Sequence, residues 1–143
     1  MLSPFADRTQ LYQLYIQPDN FRAVAEPLYI HPGSTNSLVR AATSHQLRKA
    51  ALDELLKTTP KLSPEDLIRD GAEALSALST LLGSSRWFLA AEERPGLFDA
   101  SVFAYTHLLL DDEMGWRSNE LGDVLRSLPN LVEHRDRILG MYF

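Results

Sequence analysis

The 143-residue chain contains no cysteine. That absence removes disulfides, zinc–cysteine sites and thiol chemistry, and it is compatible with a reducing compartment. Long apolar runs are missing as well. No window approaches the roughly eighteen uninterrupted apolar residues of a membrane span, and Met1 to Arg8 is not a basic segment leading into an apolar one. Nor is there a cluster of Lys and Arg: 14 basic residues are scattered among 19 acidic ones for a net charge of −5, which argues against phosphate-backbone binding and so against nucleic acid as a partner. Strand alternation, internal repeats and low-complexity tracts are also lacking.

What the chain does have is proline, eight of them. Because proline is tolerated in a helix only in its first turn, these residues mark element boundaries. Nearly every segment between them carries helical periodicity. Residues 7–17 place Leu11, Leu14 and Tyr15 on one face with Tyr12 beside it, and Asp7 can cap the start. A shorter piece over 20–26 carries Phe21, Val24 and Ala25, and is ended by Pro27 and the His31-Pro32-Gly33 turn. From Ser34 or Thr35 a long helix runs to about Thr58, with Leu38, Ala42, Leu47, Ala51, Leu52, Leu55 and Leu56 inward and Arg40, Arg48, Lys49 and Lys57 outward; Pro60 stops it. Ser63-Pro64-Glu65-Asp66 is a helix start, with a hydroxyl at the cap and acidic groups against the dipole. Its helix carries Leu67, Ala74, Leu75, Leu78, Leu81 and Leu82, with Gly83 as C-cap.

Trp87, Phe88 and Leu89 follow and are too apolar for a solvated loop. The helix over 97–110 is apolar almost all round, which predicts a buried central helix. After the acidic turn Asp111 to Glu113 and Trp116, two amphipathic helices are expected at about 118–127 and 129–139. The length is that of one domain, able to bury roughly two thirds of its unfolded surface. The abrupt start, Leu2 to Phe5 leading into a helical pattern at Asp7, suggests a piece of something longer.

Chemistry-bearing residues do not converge. His31, His45, His107 and His134 lie on separate elements without i, i+4 pairing, so no metal site is read from them, and His107 reads as a satisfied core histidine. Asp111, Asp112 and Glu113 read as a solvated turn rather than a cation site. Asp99, Ser101 and His107 have no nucleophile-elbow glycine pattern, so no hydrolase triad is assigned. No catalytic residue and no cofactor is expected. Tyr12, Tyr15, Phe21 and Tyr29 form the most informative set: either they pack between the first helices, or part of the set stays exposed as a docking surface, since aromatics are common interface anchors. Arg40, Arg48 and Lys49 read as a solvated face, with contact to acidic lipid headgroups or an acidic partner as the weaker alternative.

Residues 94–131, with the helix start Gly96 to Asp99, the apolar helix behind it and the later Leu128-Pro129-Asn130-Leu131, resemble the helical C-terminal half of glutathione transferases. There a Ser/Thr and an Asp form a capping box on the core helix. Here Gly96 stands at the Ser/Thr position, so one half of the box remains: the Gly96 N–H donating to the Asp99 carboxylate. Within that superfamily the chain resembles the metaxins, in particular fungal metaxin-like subunits of the mitochondrial sorting and assembly machinery. The resemblance is carried by residues 11–16 (Leu-Tyr-Gln-Leu-Tyr-Ile), Asn20-Phe21, Leu28-Tyr29, residues 37–40 (Ser-Leu-Val-Arg), residues 46–51 (Gln-Leu-Arg-Lys-Ala-Ala), residues 54–57 and residues 129–134.

It implies an all-α, glutathione-transferase C-terminal-like helical bundle with a buried central helix over 1–143. The thioredoxin-like half of that family is absent from this chain. The resemblance further implies a non-enzymatic subunit on the cytosolic face of the mitochondrial outer membrane. Its partners would be other subunits of a β-barrel assembly complex, including a barrel protein, with contact to the membrane surface allowed. The alternative is the helical substrate-site half of an active glutathione transferase, with Tyr105 and His107 lining an apolar pocket.

Overall fold

A computed structural model describes residues 4–57, 63–89 and 93–143, with side chains from Arg8 onward. Helix α1 begins at Pro4, so Asp7 lies within it and not at its cap, and the expected Pro60 stop lies outside the described residues. Seven α-helices and no strand are present among the described residues: α1 (Pro4–Leu11), α2 (Pro18–Asn20), α3 (Ser37–Leu56), α4 (Pro64–Leu82), α5 (Leu97–Leu110), α6 (Glu120–Arg126) and α7 (Pro129–Tyr142). The all-α expectation holds.

The bundle has two apolar centres. The larger joins Ala74, Leu75, Leu78 and Leu82 of α4 to Val102, Tyr105 and Leu109 of α5, Leu121 and Leu125 of α6, Leu131 of α7 and Phe88 of the connection before α5. The smaller is built from Leu14, Phe21, Val24, Ala25 and Ile30, with Tyr15, Leu47, Met114 and Trp116 packed against it. Helix α1 crosses α4 so closely that a Cβ on Gly71 would lie 2.7 Å from Thr9 Oγ1 and 2.9 Å from Leu121 Cδ2. Glycine is what permits that approach.

Several local signals work as read. Ser63 Oγ accepts from Asp66 N–H at 3.4 Å, capping α4, and Gly83 ends that helix at φ +55°, a backbone conformation that favours glycine. Trp87 and Phe88 are buried.

Others are overruled by tertiary context. Proline 27 does not end its helix: Phe21–Ile30 continues as a π-wound segment, as does Tyr12–Ile16, with Gln17 N–H donating to Tyr12 O at 3.1 Å. The wider turn relieves the clash between a proline ring and the preceding turn, and burial of Val24, Ala25 and Ile30 holds the segment in place.

Helix α3 starts two or three residues later than expected, at Ser37. Its cap is Asn36, whose Oδ1 accepts from Leu38 and Val39 N–H at 2.9 and 3.4 Å. Of its expected inward residues only Ala51 and Leu55 are buried and Leu47 is half-buried; Leu38, Ala42, Leu52 and Leu56 are exposed. The helix rests along a narrow line on the first segment instead of being enclosed. Leu89, expected to pack, is 77% exposed at φ +54°. Burial of α5 is one-sided: Asp99, Val102, Tyr105, Thr106 and Leu109 face the core, whereas Leu97, Ala100 and Ala104 are exposed.

Candidate functional site

The start of α5 gathers three hydrogen-bonded contacts onto one buried carboxylate. Gly96 N–H donates to Asp99 Oδ2 at 2.8 Å, the return half of a capping box whose other half a glycine cannot supply. The second carboxylate oxygen does more than the sequence indicated. Asp99 Oδ1 accepts from Phe88 N–H at 2.9 Å and pairs with His134 Nε2 at 2.8 Å, with both side chains essentially out of solvent. One carboxylate thereby fixes the helix start, the preceding connection and α7.

Burial lowers the His134 pKa below its ordinary value, against the raising effect of the Asp99 hydrogen bond and charge. The imidazole is therefore neutral at pH 7, with its proton on Nε2 toward Asp99. Its Nδ1 is buried and has no partner among the described residues. Phe88 and Trp87 meet the imidazole edge-on at 5.2 and 5.8 Å, and the guanidinia of Arg86 and Arg137 each lie 5.5 Å from the Trp87 ring centre. His134 is the core histidine, held through Nε2 by Asp99, a place the sequence had suggested for His107. His107 is instead partly exposed on the outer side of α5, accepting from Arg135 Nε at 3.3 Å and stacked on Phe103, which in turn stacks on Phe143. Ser101 Oγ donates to Leu97 O within α5 at 3.1 Å, and no triad gathers around it, as none was expected: Asp99 pairs with His134, not His107.

The aromatic set of the first segment is divided by the structure. Phe21 is 2% exposed and belongs to the smaller core, so it offers nothing to a partner. Tyr12 and Tyr15 are half-buried. Burial raises the pKa of both phenols, assisted at Tyr12 by the charges of Glu120 and Glu65 and at Tyr15 by Tyr29. Tyr29 is 55% exposed and stacks on Tyr15 with ring centres 6.4 Å apart. Leu28 beside it, and Leu38 and Val39 just past the following turn, are exposed as well. Of the four aromatics, Tyr29 is thus the exposed one, stacked on Tyr15 and flanked by exposed aliphatic side chains.

What holds this surface to the rest of the bundle is a polar network with no local sequence signature. Asn20 Oδ1 accepts from Arg117 and Ser118 N–H, both at 3.0 Å, and its Nδ2 donates to Ser118 O at 2.7 Å. Gln13 Nε2 donates to Asn119 Oδ1 at 2.8 Å, and the Gln13 Oε1 accepts from Leu121 N–H at 3.4 Å. Amide side chains serve here because each presents donor and acceptor at once to an unpaired backbone. Asparagine and glutamine at buried positions were the only available signal, and on one sequence they cannot be told from surface amides.

The remaining residues of interest do not gather. His31 and His45 are exposed. Asp111 caps the turn after α5 by accepting from Glu113 N–H at 3.0 Å, while Asp112 and Glu113 are exposed. Arg40 is less free than a solvated face implies, since its guanidinium donates to Ser34 O and to His31 O.

The sequence model of the glutathione S-transferase C-terminal domain matches residues 71–138, the stretch that contributes most of the larger core and the Asp99–His134 pair. No curated protein matches the chain. The fold is accordingly an all-α bundle like the C-terminal domain of glutathione transferases.

Proposed function

We propose that the chain is the helical half of a metaxin-type adaptor, a non-enzymatic subunit that helps sort and assemble β-barrel proteins at the cytosolic face of the mitochondrial outer membrane. The observation that carries this reading concerns the segments through which the sequence resembles metaxins. Residues 11–16, Asn20-Phe21 and Leu28-Tyr29 are spread over the first thirty positions, and Leu47 lies further on. They fold into one body around the smaller core, and that body presents Tyr29, Leu28, Leu38 and Val39 outward. Exposed aromatic and aliphatic side chains on a rigid base are what a protein-docking surface requires.

The test is co-purification of the native full-length protein with the outer-membrane barrel complex after mild detergent extraction. Stable association is expected, weakened by Tyr29→Ala. A freely soluble pool with no barrel subunit bound overturns the proposal.

The transferase alternative draws on the family match but asks for Tyr105 and His107 at an open pocket. Tyr105 is 4% exposed and packed in the larger core, which leaves it nothing to offer a substrate. Measurement of glutathione conjugation by the native protein should show none above the uncatalysed rate.

A further inference from the structure

We infer that the cleft between the first segment and α3 is a binding site for an organic phosphate, a phosphate-ester head with an apolar body. The cleft has a volume of about 640 Å³, within the range of roughly 300–1,000 Å³ typical of small-molecule sites. Arg22 and Glu26 come to it from the π-wound segment, and His45, Arg48 and Lys49 from one face of α3. Arg22, Arg48 and Lys49 thus line it together with the carboxylate of Glu26, and Asp53 pairs with Lys49 at its edge, on a chain whose net charge is −5.

The cations are also prepared for a ligand. Arg48 is held in place: its Nη2 donates to Ile16 O at 3.2 Å and its guanidinium lies 5.3 Å from the Phe21 ring centre. A guanidinium has five N–H donors, and this geometry fixes the fork while leaving the other donors for an anion. Arg22 is exposed and makes no ion pair among the described residues; it also lines an adjoining groove with Asp19 and Arg117. Lys49 pairs with Asp53 at 2.8 Å, but both side chains are more than half exposed, and a surface pair of this kind is weak enough to yield to a better anion. Leu52, Ile16 and Pro18 supply the apolar wall. A tetrahedral dianion fits forked and point cations together, and the wall rewards a ligand that is more than inorganic phosphate.

The site stands apart from the docking reading above and is tested without it. Phenyl phosphate is titrated calorimetrically into the protein, with phenol and inorganic phosphate as comparisons, and sedimentation is measured with phosphatidylcholine vesicles with and without phosphatidic acid. The expected result is one site for phenyl phosphate, weaker binding of inorganic phosphate and none of phenol. The double variant Arg22→Gln/Lys49→Gln should weaken binding by about tenfold or more, with an unchanged melting temperature. The variant Arg126→Gln, on α6, should have no effect.

Binding to phosphatidic acid vesicles alone, abolished by the same double variant, assigns the phosphate head to a lipid instead of a soluble ester. Absence of binding in both arms, or binding that the double variant leaves intact, overturns the site.

Discussion

Asp99 shows how much one side chain can organise. Its carboxylate accepts from Gly96 N–H, Phe88 N–H and His134 Nε2, so its removal strands three buried or half-buried donors, each costing about 1–3 kcal/mol when left unpaired. Asp99→Ala should therefore lower stability by roughly 3–5 kcal/mol, read from the urea midpoint at constant slope. The neutral state of His134 adds a pH dependence. Its pKa is depressed in the folded chain, so the unfolded chain takes up the proton more readily. The contribution is complete above the ordinary value of 6.5 and is lost as pH falls from there toward the lower folded value. Thermal melts from pH 7.5 down to pH 5 should show a falling midpoint, and His134→Gln should flatten the part of that slope lying below 6.5. Half of this arrangement was legible in the sequence. A carboxylate three residues after a helix start predicts the Gly96 bond, because that contact is fixed by helix geometry alone. The His134 contact spans 35 residues and is set by where α7 lands, which no local spacing encodes.

At the scale of elements, two glycines on helices should respond in opposite directions. Gly71→Ala places a methyl group at 2.7 Å from Thr9 Oγ1, forcing α1 from α4 at a cost of about 1–3 kcal/mol. Gly140, within α7, has nothing within 4 Å of where a Cβ would lie, so Gly140→Ala should stabilise by about 0.5–1 kcal/mol. Paired denaturant melts of the two variants check both signs. Helix boundaries were read well where the signal is chemical, as at Ser63 and Gly83, and poorly where it depends on neighbours. The leucines of α3 are spaced for burial, but spacing records a capacity for burial and not the partner. With only the first segment beside it, α3 buries Ala51 and Leu55 and leaves Leu38 and Leu52 outside. Pro27 reads as a stop because a tight α-helical turn cannot hold it; a π-wound turn can. The aromatic candidates divided for the same reason. Phe21 and Tyr29 look alike as letters, and their positions around one helix send the first inward and the second out.

The molecule as a whole has two apolar centres, joined by polar contacts and by the close crossing of α1 on α4, with the family-matched stretch of residues 71–138 supplying the larger one. The amides of Gln13, Asn20 and Asn119 carry much of the link between the first segment and the start of α6. The smaller centre holds fewer buried side chains than the larger, and proteins open in cooperative units of unequal stability. Hydrogen exchange should accordingly be faster through residues 12–56 than through α4, α5 and α7. Asn20→Ala should widen the gap, because it unpairs the Arg117 and Ser118 amides without touching the larger core. Equal exchange rates in the two regions would show a single cooperative unit instead. The chain also carries its own means of watching this happen. Its two tryptophans are divided between the centres: Trp87 lies against His134, beside the larger, and Trp116 packs on the smaller. A pair of single-tryptophan proteins, Trp87→Phe and Trp116→Phe, would give each half an emission signal of its own, so that fluorescence alone could time the loosening of one centre against the other.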